Sequence, residues 1–107
     1  MDPAKVHDKM VEKGREKART AAYAQTTDRL RKQVRAKLMV EFINQGSPIG
    51  KAEQLALTHE DYIEASENAE KAEEEAGIAA VEYEAAKAWL SIWQTTEATR
   101  RAEMTLR

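Results

Sequence analysis

Residues 55–93, LALTHEDYIEASENAEKAEEEAGIAAVEYEAAKAWLSIW, carry a ladder with a seven-residue step: Leu55, Tyr62, Ala69, Ala76, Tyr83 and Leu90. Ala65, Ala72, Ala79, Ala86 and Trp93 each follow a rung by three places. This is the spacing of a helix that packs along one stripe, because a seven-residue apolar repeat keeps the same side chains facing one neighbour. A single helix cannot shield such a stripe from water, so the spacing implies a covering α-element from the same or another chain. The rungs read Leu, Tyr, Ala, Ala, Tyr, Leu in either direction. Two antiparallel copies therefore pair Leu55 with Leu90, Tyr62 with Tyr83 and Ala69 with Ala76, the self-complementary pattern of a two-fold homodimer.

Beyond Gly77 a second stripe, Ile78, Val81, Ala85, Ala88, Trp89 and Ile92, occupies much of the opposite face. A helix with two apolar sides asks for two neighbours, which points to a bundle of three or more helices.

Working back from the ladder, Asn44-Gln45-Gly46-Ser47-Pro48 is the clearest punctuation in the chain. Gly46 is suited to the left-handed position after a helix, Ser47 to capping the next one and Pro48 to its first turn. A turn this short, at residues 46–47, reverses the chain into a helical hairpin. It is predicted to set Leu38, Met39 and Phe42 against Ile49, Leu55 and Leu57. The arriving helix is expected over about 28–45, opened by Thr26, Thr27 and Asp28 and striped by Leu30, Val34, Leu38 and Phe42. The departing helix is expected over about 48–105, continuous through Gly77, since the repeat passes from Ala76 to Tyr83 in phase; a break at 77 is the alternative. Residues 1–27 form a basic arm or helix. Asp2 and Pro3 have the chemistry of a helix start, but Gly14 and a run of charges weaken the segment, and it can be frayed or continuous with the next helix. The fold class is thus all-α: a coiled-coil-like hairpin with a long C-terminal helix, expected to oligomerise, in two regions at 1–27 and 28–107.

Composition narrows the functions. Of the 107 residues only 6% are aromatic, and many of the apolar ones are alanine, so a compact monomeric core would be thin. No cysteine is present, which excludes disulfides, thiolate nucleophiles and thiolate metal sites. No apolar run resembles a secretory leader or a membrane span, and a cytoplasmic protein with no membrane partner is the expectation. The net charge of -2 conceals a polarity: residues 1–40 hold eleven Lys/Arg against five Asp/Glu, and residues 41–90 three against twelve. Such blocks attract one another within or between chains, or leave a basic arm free for a polyanion.

No chemistry assembles from the remaining residues. His7 and His59 are far apart, and His59-Glu60-Asp61 points its side chains in different directions around a helix, so no metal site is expected. The acids at Glu67, Glu70, Glu73, Glu74 and Glu75 lack the Glu-x-x-His pattern of dimetal bundles and read as a solvated face. No phosphate loop, nucleophile elbow or triad is present. The chain is expected to be no enzyme and to need no cofactor. Arg29, Arg31, Lys32, Arg35 and Lys37, preceded by the lysines and arginines of residues 5–19, form a strip able to neutralise phosphates. Only Tyr23 interleaves with it, which offers little for base stacking. Trp89 and Trp93, four apart, are read as core or as an anchor for a partner protein.

The stretch Ala36-Lys37-Leu38 through Gly46-Ser47-Pro48, then Lys51-Ala52-Glu53, together with Tyr83-Glu84-Ala85-Ala86-Lys87-Ala88-Trp89 and Thr99-Arg100-Arg101-Ala102-Glu103, resembles a group of small helical phage proteins encoded near recombination or single-strand annealing genes. The likeness spans roughly residues 30–105. It implies a helix, a Gly-Ser turn, a long Ala/Glu-rich helix and a place in the host cytoplasm, and carries over no functional residue. The expected function is a non-enzymatic helical assembly protein, self-associating through the ladder or binding another protein. An accessory nucleic-acid-binding protein using the basic segment is the alternative.

Overall fold

The computed structural model describes residues 2–106, apart from the side chain of Pro3; Met1 and Arg107 lie outside the described residues. The described residues form three helices: α1 (Pro3–Asn44), α2 (Ile49–Leu57) and α3 (Glu60–Leu106). The start of α1 follows from local chemistry, since the Asp2 carboxylate accepts a hydrogen bond from the Ala4 amide at 3.0 Å and satisfies one of the orphan donors of the first turn. Nothing interrupts α1 near residue 28. The Thr26 and Thr27 hydroxyls, expected to open a new helix there, instead donate to the carbonyls of Ala22 and Ala24 within the same helix.

Gly46 ends the helical run. At φ 99° it takes the left-handed conformation, while its own amide donates to the Ile43 carbonyl and the Ser47 amide to Phe42, both at 3.0 Å. These two bonds are the Schellman pattern that satisfies the last carbonyls of a helix. Ser47 is not the cap of α2, as the sequence suggested: that place belongs to Pro48, with φ -61° and ψ 155° and no side-chain bond.

The helix expected to run unbroken from 48 is interrupted at Thr58-His59. Thr58 closes α2, its amide and hydroxyl both donating to the Gln54 carbonyl. His59 then opens α3, its Nδ1 accepting from the Asp61 amide at 3.0 Å. Glu60 and Asp61, negative charges in the first turn, suit that end of the helix dipole. Gly77 leaves α3 intact.

Two compact units result, one of residues Thr20–Ala76 and one of Met1–Arg19 with Gly77–Arg107. In the first, α1 packs antiparallel to α3, with Ala24 and Ala69 bordering one cleft and Leu38 and Asp61 another. Helix α2 lies close by: Ala52 and Ala56 are fully buried, and Arg35 of α1 pairs with Glu53. Here the expected contact set changes, because Ile49 is 70% exposed and Leu57 is exposed as well. Ala52 and Ala56 make the close part of the α2 contact, with Leu55 half-buried beside them, since a Cβ alone lets a short helix approach closely. The ring of Phe42 meets His59 edge-on, with centroids 6.2 Å apart, and packs the turn.

In the second unit the early part of α1 again runs antiparallel to α3, with Val6 beside Trp89 and Lys13 beside Glu82 along one groove. Tyr83 packs over Gly14, and a Cβ built on that glycine falls 3.2 Å from the ring. The residue that weakens α1 locally thus makes room for an aromatic ring. Lys17 and Lys87 hold their ammonium groups 4.9 Å and 5.5 Å from the ring centroid, a cation-π arrangement from both helices.

Candidate docking face

The ladder read from the sequence is covered within one chain. From Tyr62 onward every rung and every follower, Ala65, Ala69, Ala72, Ala76, Ala79, Tyr83, Ala86, Leu90 and Trp93, is buried or half-buried. Leu55 is half-buried too, but it belongs to α2 and so stands outside the α3 stripe. The surface assigned to a second copy by the palindrome is therefore occupied by α1. Among the described residues of α1, buried or half-buried positions recur at Val6, Met10, Lys13, Lys17, Thr20, Ala24, Thr27, Arg31, Val34 and Leu38, alternately four and three apart. This is the coiled-coil spacing on the covering helix. The sequence hides it because lysine, threonine and arginine fill half of it; long basic side chains cover apolar surface with their stems while the charge reaches water.

Those charges find acids. Lys13 donates to Glu82 at 2.9 Å, and this bond and the attraction of Glu82 hold the ammonium above its ordinary value. Lys17 lies 3.9 Å from Glu84. Asp28 accepts from Arg31 and Lys32, and the Lys32 hydrogen bond, foremost, keeps its carboxyl below the usual carboxylate range. Glu16 is lowered in the same way by Arg19. The opposite charge blocks of the two halves thus meet inside the chain.

This geometry bears on the basic strip. Arg31, Lys32 and Arg35 engage acids of their own chain, whereas Arg29 and Lys37 have no ion-pair partner among the described residues. Lys5, Lys9 and Arg15 likewise have no ion-pair partner among the described residues, so the cations left for a polyanion are spread along α1 and not gathered in the 29–37 strip. His7 is exposed, His59 is the cap of α3, and no group of three or more His, Asp or Glu able to hold a metal occurs among the described residues. No described helix is long and apolar enough to cross a membrane.

Exposed apolar residues occur on all three helices, Leu30, Val40, Ile49 and Ile63 among them, and the second stripe is a run of them along one face of α3. Ile78 is 54% exposed, Val81 70%, Trp89 52% and Ile92 59%, with Ala85 and Ala88 exposed between them. Trp89 and Trp93, paired in the sequence reading, part company: Trp93 sits half-buried on the covered seam and Trp89 borders the open face. Four large apolar side chains on one face of about four helical turns exceed the scattered exposure normal for a folded surface. The feature is confined to this part of α3. Stepping back along the same face by seven residues from Ile78, Val81 and Ala85 gives Lys71, Glu74 and Ile78, and a further step gives Glu64 and Glu67. The face is charged before Gly77 and apolar after it.

Beside the stripe lies a groove of about 640 Å³ lined by Lys5, Val6, Lys9, Lys13, Glu82, Ala85, Ala86 and Trp89. Lys5 and Lys9, one turn apart on its α1 edge, have no ion-pair partner among the described residues. The site therefore offers an apolar floor, an aromatic wall and two available cations, which suits a helix with an apolar face and an acidic edge. No protein-family model, curated protein or solved structure matches the chain.

Proposed function

We propose that this chain is a helical interaction and assembly module, not an enzyme, and that it self-associates through the Ile78–Ile92 face of α3. The observation that carries this reading is the switch at Gly77: identical helical positions hold Glu64, Glu67, Lys71 and Glu74 on one side and Ile78, Val81, Ala85, Ala88 and Ile92 on the other. Exposed apolar residues that do not contribute to the hairpin's own packing are a cost in solubility, which a covering partner removes. Sedimentation across a concentration series tests it. The parent chain gains mass with concentration, and Val81→Glu with Ile92→Glu stays monomeric with unchanged helicity. A double variant that associates like the parent refutes the reading.

A further inference from the structure

We infer that the partner on this face is a second copy lying antiparallel about a two-fold axis, with Val81 of each copy level with Ile92 of the other and Ala85 level with Ala88. The inference rests on the docking reading above and adds the orientation and register. It starts from the order of side-chain sizes on the open stripe. Four of the six stripe residues, Val81, Ala85, Ala88 and Ile92, run large, small, small, large, and all are exposed; Trp89, at the edge of the stripe, comes level with Glu84. Rotating the stripe by a half-turn about the point between Ala85 and Ala88 returns that order, placing large against large at the ends and alanine against alanine in the middle. A two-fold interface requires this self-complementarity, and close central alanines let two helices approach.

The flanks agree with the same register. Ile78 comes level with Thr95, whose methyl continues the apolar strip, and the overlap from residue 78 to 95 is about 27 Å of helix. Charges decide the direction. A parallel, in-register pair sets Glu82 and Glu84 of one copy level with Glu82 and Glu84 of the other, a repulsive match. The antiparallel pair moves Glu84, which lies 3.9 Å from Lys17 and 3.8 Å from Lys87 of its own chain, within a turn of Lys87 on the other copy, so that acid and base, not acid and acid, come level. It also brings Glu82, whose Oε2 holds Lys13 of its own chain and whose other carboxylate oxygen has no ion-pair contact, to the level of Ser91, beside Trp89 and the groove where Lys5 and Lys9 stand without ion-pair partners among the described residues. Two hairpins joined in this way form a four-helix arrangement in which each α3 has α1 on one side and the other copy's α3 on the opposite side. Both apolar stripes of α3 are then covered.

The chain has no cysteine, so introduced thiols report the register cleanly. Val81→Cys and Ile92→Cys are made separately; both positions are more than half exposed, so the fold tolerates the change. Disulfides need Cα atoms within about 7 Å, whereas in the antiparallel register the two Val81 positions differ in level by about 16 Å. Under mild oxidation an equimolar mixture gives a band of doubled mass, and neither variant alone does. Crosslinking of Val81→Cys with itself, while Val81→Glu with Ile92→Glu still abolishes association, overturns the register and leaves the docking reading standing. A parent chain that stays monomeric throughout the concentration series overturns both.

Discussion

Replacing Gly14 and Gly77 by alanine, one at a time, separates local helix preference from packing in this chain. Both glycines lie inside helices, where alanine is favoured by about 0.8–1 kcal/mol per residue. A Cβ at residue 77 meets nothing within 4 Å, so Gly77→Ala is expected to realise that gain, about 4–8 °C in Tm for each kcal/mol in a chain of this size. At residue 14 the same Cβ falls 3.2 Å from Tyr83 Cε2, closer than ordinary contact, and 3.6 Å from Cδ2, an ordinary one. Tyr83 has to give way by a few tenths of an ångström. Its ring lies between Lys17 and Lys87, and leaving a preferred rotamer costs about 0.5–1.5 kcal/mol. Gly14→Ala therefore gains less than Gly77→Ala, by up to about 0.5–1.5 kcal/mol, the cost of driving the ring fully off its rotamer. Adding Tyr83→Ala to each variant should erase the difference. Urea and thermal unfolding followed by circular dichroism give the numbers. If Gly14→Ala stabilises as much as Gly77→Ala with Tyr83 present, the ring does not lie over α1 at that position, and the antiparallel pairing of this unit is wrong.

Three further outcomes follow from the same geometry. His59→Ala removes the cap of α3 and should cost about 1 kcal/mol, while His59→Asn keeps an acceptor and most of the stability; equal melting of the two variants would show that the imidazole does not cap. Ala72→Gln and Ala79→Gln push a longer chain into a seam that is 1% and 5% exposed, and each should cost about 1–3 kcal/mol in denaturant unfolding; unchanged midpoints would place these alanines on a solvent face. Asp28 and Glu16 are held below their ordinary values of 3.8 and 4.5, so their stabilisation is present above those values and fades as pH falls through the lowered ones. Lys13, raised above 10.5, stabilises below that value and stops as pH climbs past its raised one, so Asp28→Asn should flatten only the acid side of a pH–melting curve.

Particular residues show what the sequence could reveal. Gly46 announced its turn because few residues other than glycine accept a positive φ, and the α3 ladder was visible because its positions are alanine, tyrosine, leucine and tryptophan. The covering helix was hidden, since Lys13, Lys17, Thr20, Thr27 and Arg31 do not look apolar although each is buried or half-buried. Without it, the palindromic ladder favoured a dimer, whereas the hairpin closes the stripe within one chain. The break at Thr58-His59 escaped because histidine is an uncommon cap; the acids at 60 and 61, first-turn residues, were the available signal. Threonines 26 and 27 gave the opposite error, their hydroxyls bonding within the helix in place of ending it. The open face was legible from the second stripe, but only the fold shows that α1 covers the other side.

Helix α3 has one face closed by its own chain and one left open. Single cysteines at Ala72, Ala79, Val81 and Ala85, reacted with a thiol reagent under dilute conditions that disfavour association, measure this directly. Slow labelling at 72 and 79, fast labelling at 81 and 85, and protection at 81 and 85 that grows with protein concentration are the expected results. Equal rates at all four sites in the dilute sample would mean that no helix of the same chain covers the alanine seam.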